Sequence, residues 1–176
     1  RELLTQLGAL DSNGSITPHG RAMAELSLHP RLAHMILRAQ SLHMATLACD
    51  VAALLSERDI FRHHRGHRNA DLRIRLDALY GQQDPADSAT IDRGAVQHIK
   101  RTADLWRRHL ARTTTGERSN TKDQLDQVGL LLALAYPDRI AQRQDGGEAR
   151  YLMANGRGAS FAGPDPLGTE DYLVIA

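Results

Sequence analysis

The sequence is poor in cysteine, in aromatic residues and in long apolar runs. Its single cysteine, Cys49, excludes an internal disulfide and a cysteine-rich zinc site, and its Ala/Leu-rich surroundings predict a buried thiol. Aromatic residues make up only 4% of the 176 residues, so few platforms exist for stacking nucleic-acid bases. No apolar run approaches the roughly 20 residues that cross a bilayer, and no targeting segment is recognisable. We therefore expect a cytoplasmic chain without membrane contact.

Motifs of several enzyme classes are also missing. The sequence has no Gly-x-x-x-x-Gly-Lys-Ser/Thr phosphate loop, no Gly-x-Ser-x-Gly elbow and no His-Glu-x-x-His pair. The densest histidine cluster, residues 63–67, also contains Arg65, and neighbouring arginines would repel a cation. An exposed basic loop is therefore favoured over a metal site. We expect no catalytic, cofactor-binding or metal-ligating residue in this chain.

The N-terminal residues have the outline of a small winged helix. A short apolar helix is followed by Asn13-Gly14, a strong turn signal. Thr17 then caps a second helix that has Pro18 in its first turn. Because little strand is predicted here, we expect a degenerate winged helix over residues 1–30.

Apolar residues recur at helical spacing from residue 30 to about residue 112, and a further helix ends at Tyr136-Pro137. The run Leu130–Leu134 in that last helix is apolar on every side, which predicts that it is the most buried helix. After it, glycine and proline become frequent and short strands are predicted near 150–153, 159–161 and 172–175. The predicted fold is mainly α: a helical bundle over 31–136 and a truncated β segment over 137–176.

Positive charge is concentrated in two clusters, although the net charge is only +1. Residues 57–75 hold six arginines against three acids, and residues 98–112 hold five basic residues against one. Only Lys100 and Lys122 are lysines, and arginine suits bidentate phosphate contact, although a GC-rich genome would give the same bias. Because aromatic residues are rare, we expect backbone contact rather than base readout, against the alternative of an ordinary solvated face. The candidate nucleic-acid-binding residues are Arg58, Arg62, Arg65, Arg68, Lys100, Arg101, Arg107, Arg108 and Arg112.

Distinctive stretches are spread over nearly the whole sequence. They are Leu7–Asp11, Gly14, Ile16–Ala24, Leu28–Met35, Ala53–Asp59, Asp71–Leu76, Tyr136–Ala141 and Tyr151–Ala159. The stretches up to Met35 resemble the region behind the motor of DEAH-box helicases, in which a degenerate winged helix leads into a helical ratchet bundle. The later stretches are similar to bacterial HrpB-type helicases in particular, and the resemblance covers essentially the whole chain.

The resemblance implies a parent that couples ATP hydrolysis to movement along nucleic acid. ATP and Mg²⁺ would bind to motor domains outside this sequence, so the fragment should have no ATPase activity of its own. The bundle would form one wall of the single-strand channel, the winged helix would pack on the motor, and an OB-like β module would follow. The implied partners are single-stranded nucleic acid, with RNA the expected form, and the motor domains. The first residue is not Met and Tyr172–Ile175 resembles an interrupted strand, which also favours a fragment.

Two other functions fit parts of the sequence. A free-standing winged-helix module would bind nucleic acid through its recognition helix, but residues 18–26 offer only His19, Arg21 and Glu25 as long polar residues. A protein-interaction module would use the basic faces to meet an acidic partner. If the chain binds single-stranded nucleic acid and this binding weakens as the salt concentration rises, the helicase interpretation is favoured over a protein-interaction module.

Overall fold

The computed structural model describes residues 1–62, 69–82, 90–111, 121–146 and 149–176. Within these ranges the chain is mainly α-helical with a small C-terminal antiparallel sheet, which confirms the predicted fold class. The α-helices are α1 (Glu2–Gln6), α2 (Pro18–Glu25), α3 (Pro30–Gln40), α4 (Ala45–Ser56), α5 (Leu72–Tyr80), α6 (Arg93–Ala111) and α7 (Val128–Ala135). The strands are β1 (Phe61–Arg62), β2 (Thr90–Ile91), β3 (Ile140–Arg143), β4 (Arg150–Met153), β5 (Gly158–Ser160) and β6 (Tyr172–Val174). No helix in the described ranges is long and apolar enough to cross a membrane.

The turn between α1 and α2 forms as the sequence predicts. The carboxylate of Asp11 accepts hydrogen bonds from the backbone N–H groups of Asn13 and Ser15, and Leu10 pairs with Ile16 in an isolated antiparallel bridge. The hydroxyl of Thr17 accepts a hydrogen bond from the backbone N–H of Gly20 at 2.9 Å, which caps α2. The strand content of this region is therefore a single bridge, as expected for a degenerate winged helix.

Helix α4 lies at the centre of the bundle, with α3 and α6 packed against it. Eight of its twelve residues are buried, among them Cys49, whose thiol pKa burial raises to about 12. The prediction that α7 is the most buried helix is wrong. Its inner face, which includes Leu131, packs on α3, but Leu130 remains 48% exposed. An apolar sequence on every side does not reveal how many neighbours a helix will have.

The region predicted to be helical from residue 30 to 112 also contains a short strand pair. Phe61 pairs with Ile91 in an antiparallel ladder between β1 and β2. Ile91 therefore lies in a strand rather than on the apolar face of α6. The side chain of Asp92 accepts a hydrogen bond from the backbone N–H of Ala95 at 3.0 Å, and this cap sets the start of α6.

The C-terminal sheet has the strand order β5-β4-β3-β6, all antiparallel. The sequence predicts β4, β5 and β6 but misses β3, in which only Ala141 is buried and no apolar alternation appears. Tyr151 fixes the segment after β5, because its single hydroxyl proton is shared between the carbonyls of Leu167 and Glu170, at 3.0 and 2.9 Å from the hydroxyl oxygen. The sheet is tied to the bundle by Val174, which packs against the main core.

Candidate nucleic-acid interface

Helix α6 separates an apolar inner face from a charged outer face. Its buried residues are Ala95, Val96, Ile99, Ala103 and Leu110, and this inner face packs on α4. Its outer face carries Arg101 and Arg108, seven residues and about 10 Å apart along the axis. Leu105 lies between them and is 61% exposed. The amphipathic pattern thus presents two arginines and one apolar side chain together on the outer face.

Arg101 and Arg108 use only part of their hydrogen-bonding capacity. The Nε of Arg101 donates to the carbonyl of Gln97 at 3.2 Å, and the Nε of Arg108 donates to the carbonyl of Asp104 at 3.1 Å. Within the described ranges, neither side chain forms an ion pair with a carboxylate. Both side chains are exposed, so their terminal Nη groups can bind an external anion bidentately.

Arg107 lies on the same helix but faces inward. Its Nη2 contacts a carboxylate oxygen of Asp50, which is only 2% exposed, and its Nη1 donates to Asp104 at 2.7 Å. The other oxygen of Asp50 accepts a hydrogen bond from the hydroxyl of Tyr80 at 2.8 Å. The network joins α4, α5 and α6, and it compensates the cost of burying a carboxylate.

The charges in this network alter each other's protonation. Burial raises the pKa of Asp50, although the positive charge of Arg107 and the hydrogen bond from Tyr80 act in the opposite direction. Burial and the charge of Asp50 raise the pKa of Tyr80. Asp50 is the only charged residue in the apolar sequence of α4, and this was the signal that could have predicted a buried ion pair.

The structure describes the side chains of three arginines in the 57–75 cluster, and each of them pairs with a carboxylate. Arg58 is 74% exposed and its Nη2 donates to Asp92 at 3.0 Å, close to the start of α6. Arg75, outside the predicted set, pairs with Asp59 at 2.7 Å and is largely buried. The acid beside Arg58 comes from residue 92, so counting charges within residues 57–75 underestimates the neutralisation of this cluster.

The remaining predicted site residues fall into two groups. Lys100 is half-buried on α6, one residue before Arg101. Arg62 forms part of β1, but its side chain lies outside the described part of the structure, as do Arg65, Arg68 and Arg112 and the histidine cluster. Among the described residues, no group of three or more His, Cys, Asp or Glu side chains could hold a metal ion.

Comparison with known proteins finds similarity to helicase-associated regions. Residues 1–28 match the family described as the helicase-associated domain (HA2), winged-helix. The chain is 30% identical over 174 residues to the ATP-dependent RNA helicase HrpB of Escherichia coli K12, covering 99% of this chain and 18% of that protein.

Two solved structures of E. coli HrpB agree with the sequence match. One, described as a DExH-box NTPase, has a TM-score of 0.62 and 28% identity and covers 98% of this chain. The other, described as a DEAH/RHA helicase, has a TM-score of 0.66 and 29% identity and covers 99%. This chain spans 18% of each of those chains. The resemblance drawn from the sequence is confirmed: the chain is homologous, over nearly all of its length, to a helicase-associated C-terminal region of the HrpB type.

Proposed function

We propose that this chain is the accessory region of an ATP-dependent RNA helicase, in which the outer face of α6 forms part of the channel for the single strand. The motor domains of that helicase would bind ATP and Mg²⁺, and the chain itself would have no ATPase activity. Residues 1–30 would contact the motor as a degenerate winged helix, residues 31–136 would form the channel wall, and residues 137–176 would begin an OB-like module. The similarity to HrpB supports this assignment.

The observation that carries the channel proposal is the state of Arg101 and Arg108. Both are exposed, and their terminal nitrogens have no carboxylate partner among the described residues. A guanidinium without an acidic partner binds phosphate and releases counterions from the strand. The surface between them holds Leu105 rather than an aromatic ring, so the contact would be with the phosphate backbone rather than by stacking of bases. The mechanism is electrostatic holding of the strand while the motor domains open and close.

The test is the binding of a fluorescein-labelled, unstructured single-stranded RNA, followed by anisotropy at several salt concentrations. The double variant Arg101→Gln/Arg108→Gln should bind more weakly. If each arginine neutralises one phosphate, the slope of log affinity against log salt should fall by about 1.4, since single strands lose about 0.7 per contact. Circular dichroism should be unchanged because both side chains are exposed.

A matched control removes two exposed arginines elsewhere. Arg21→Gln/Arg157→Gln makes the same change in net charge on α2 and on the turn after β4. The control should keep most of the affinity and the wild-type salt slope. Equal losses in both double variants would show only a general charge effect and would contradict a channel on α6. Absence of RNA binding at low salt would favour an acidic protein partner for the same face.

A further inference from the structure

We infer that Arg107 is a positioning residue: it holds the carboxylate of Asp104 and so keeps that acid from neutralising Arg101 and Arg108. This inference rests on the proposed function of the α6 face. Asp104 lies three residues after Arg101 and four residues before Arg108, which are the two spacings at which helical side chains meet. An acid four residues before a base is also the favoured orientation for a helical ion pair. Asp104 would therefore be expected to pair with Arg108.

The structure has a different pairing. Asp104 accepts a hydrogen bond from the Nη1 of Arg107 at 2.7 Å and forms no ion pair with Arg101 or Arg108. The side chain of Asp104 is 53% exposed, so burial does not prevent it from turning towards Arg108. The ion pair with Arg107 is what holds it.

Arg107 is able to hold Asp104 because its own guanidinium is fixed from the other side. Its Nη2 contacts Asp50, and the Nε is buried, whereas the Nε atoms of Arg101 and Arg108 donate to carbonyls of their own helix. Asp50 is itself held by the hydroxyl of Tyr80. A planar guanidinium anchored at one edge presents its other edge in a defined direction. Arg107 would therefore act by pairing with Asp104, although the sequence suggests that it belongs to the binding face.

A cycle of variants separates this role from direct phosphate contact. Asp104→Asn would be made in the wild-type chain and in Arg107→Gln/Asp50→Asn, where both partners of the buried pair are neutral and Asp50 is not left as an unpaired charge. In the wild type, Asp104 is already paired with Arg107, so Asp104→Asn should change the RNA affinity by less than about twofold. In the neutralised background it should tighten binding about fivefold, the size expected for coupled neighbouring groups.

If Arg107 contacts phosphate directly, Asp104→Asn will free it in the wild type and will tighten binding there at least as much as in the neutralised background, and the inference is wrong. Long-range charge alone would give equal effects in the two backgrounds, because distant contributions add, and would also contradict the inference. The proposed function is tested separately by comparing the wild type with Arg101→Gln/Arg108→Gln. An unchanged RNA affinity in that double variant would overturn the proposed function.

A second readout does not depend on RNA. In NMR spectra of arginine side chains, the Nε–H signal of Arg108 should respond to Asp104→Asn in the neutralised background, where Asp104 is free to approach it. In the wild-type background the signal should stay nearly unchanged. An equal response in both backgrounds would show that Arg107 does not hold Asp104, whether or not the chain binds RNA.

Discussion

Arg31 and Asp138 form a two-point ion pair across 107 residues of sequence, with N–O distances of 2.5 and 3.0 Å. The Nη1 of Arg31 also donates to the carbonyl of Ala135 at 3.1 Å, and its guanidinium lies 5.1 Å from the ring centre of Tyr136. The side chain of Arg31 is only 10% exposed. One residue at the start of α3 therefore fixes both the end of α7 and the turn that leads into β3.

The first prediction concerns this ion pair. Asp138→Asn should lower the free energy of unfolding by about 3 kcal/mol, because it leaves a nearly buried guanidinium without its counter-charge. The hydrogen bond from Arg31 lowers the pKa of Asp138, so its stabilising effect is present above the ordinary carboxyl pKa and is lost as the pH falls through the folded-state value. Urea unfolding at pH 7 and at about pH 3 should show the two proteins converging in acid. Asp145→Asn, at an exposed carboxylate, is the control, and an equal loss there would contradict the prediction.

The second prediction compares two helical glycines. A Cβ added at Gly20 in α2 would overlap the carbonyl oxygen of Ala9, which is held by a hydrogen bond from the N–H of Thr17. Gly20→Ala should therefore cost about 1–3 kcal/mol of stability. A Cβ at Gly129 in α7 meets nothing within 4 Å, so Gly129→Ala should stabilise the chain by up to about 1 kcal/mol. Thermal unfolding of the two variants checks this, and a stabilising Gly20→Ala would mean that α2 packs differently.

The third prediction tests the orientation of α7. Leu131 is fully buried, and Leu131→Ala should cost about 2–5 kcal/mol. Its neighbour Leu130 is 48% exposed, so Leu130→Ala should change stability by less than about 1 kcal/mol. Chemical unfolding of both variants gives the comparison. Equal losses would mean that α7 is covered on its outer side as well.

The fourth prediction concerns acid sensitivity. His19 on α2 and His34 on α3 are joined by a hydrogen bond of 2.9 Å between ring nitrogens. Burial, then the charge of His19, lowers the pKa of His34 to about 4. Between an unfolded-state pKa near 6.5 and this value, the unfolded chain binds more protons, so stability should fall as the pH decreases from about 7 to about 4.

His34→Gln should make this dependence on pH shallower, as measured by urea unfolding at pH 7.5, 6 and 5. His43→Gln, at an exposed histidine in the turn after α3, serves as the control. If the stability of the wild type and of His34→Gln depended on pH in the same way, the His19–His34 pair would not cause the acid sensitivity.

Local sequence signals determined much of the fold. The turn at Asn13-Gly14, the cap at Thr17 and the apolar spacing of α6 each act within a few residues, and all three appear in the structure. Strand β3 could not be predicted in the same way, because its stability comes from pairing with β4 and β6 rather than from its own pattern.

The same distinction between local signals and distant partners applies to the candidate site. The sequence identified the basic helix and placed Arg101, Arg107 and Arg108 in one cluster, because helical spacing and charge are local properties. Only the tertiary structure separated Arg107 from the other two, since its partner Asp50 comes from 57 residues earlier in the chain. Likewise, only the packing of β2 against β1 brought Asp92 to Arg58. Charge is determined by sequence, but whether a charge is available to a ligand depends on which distant carboxylate folding brings beside it.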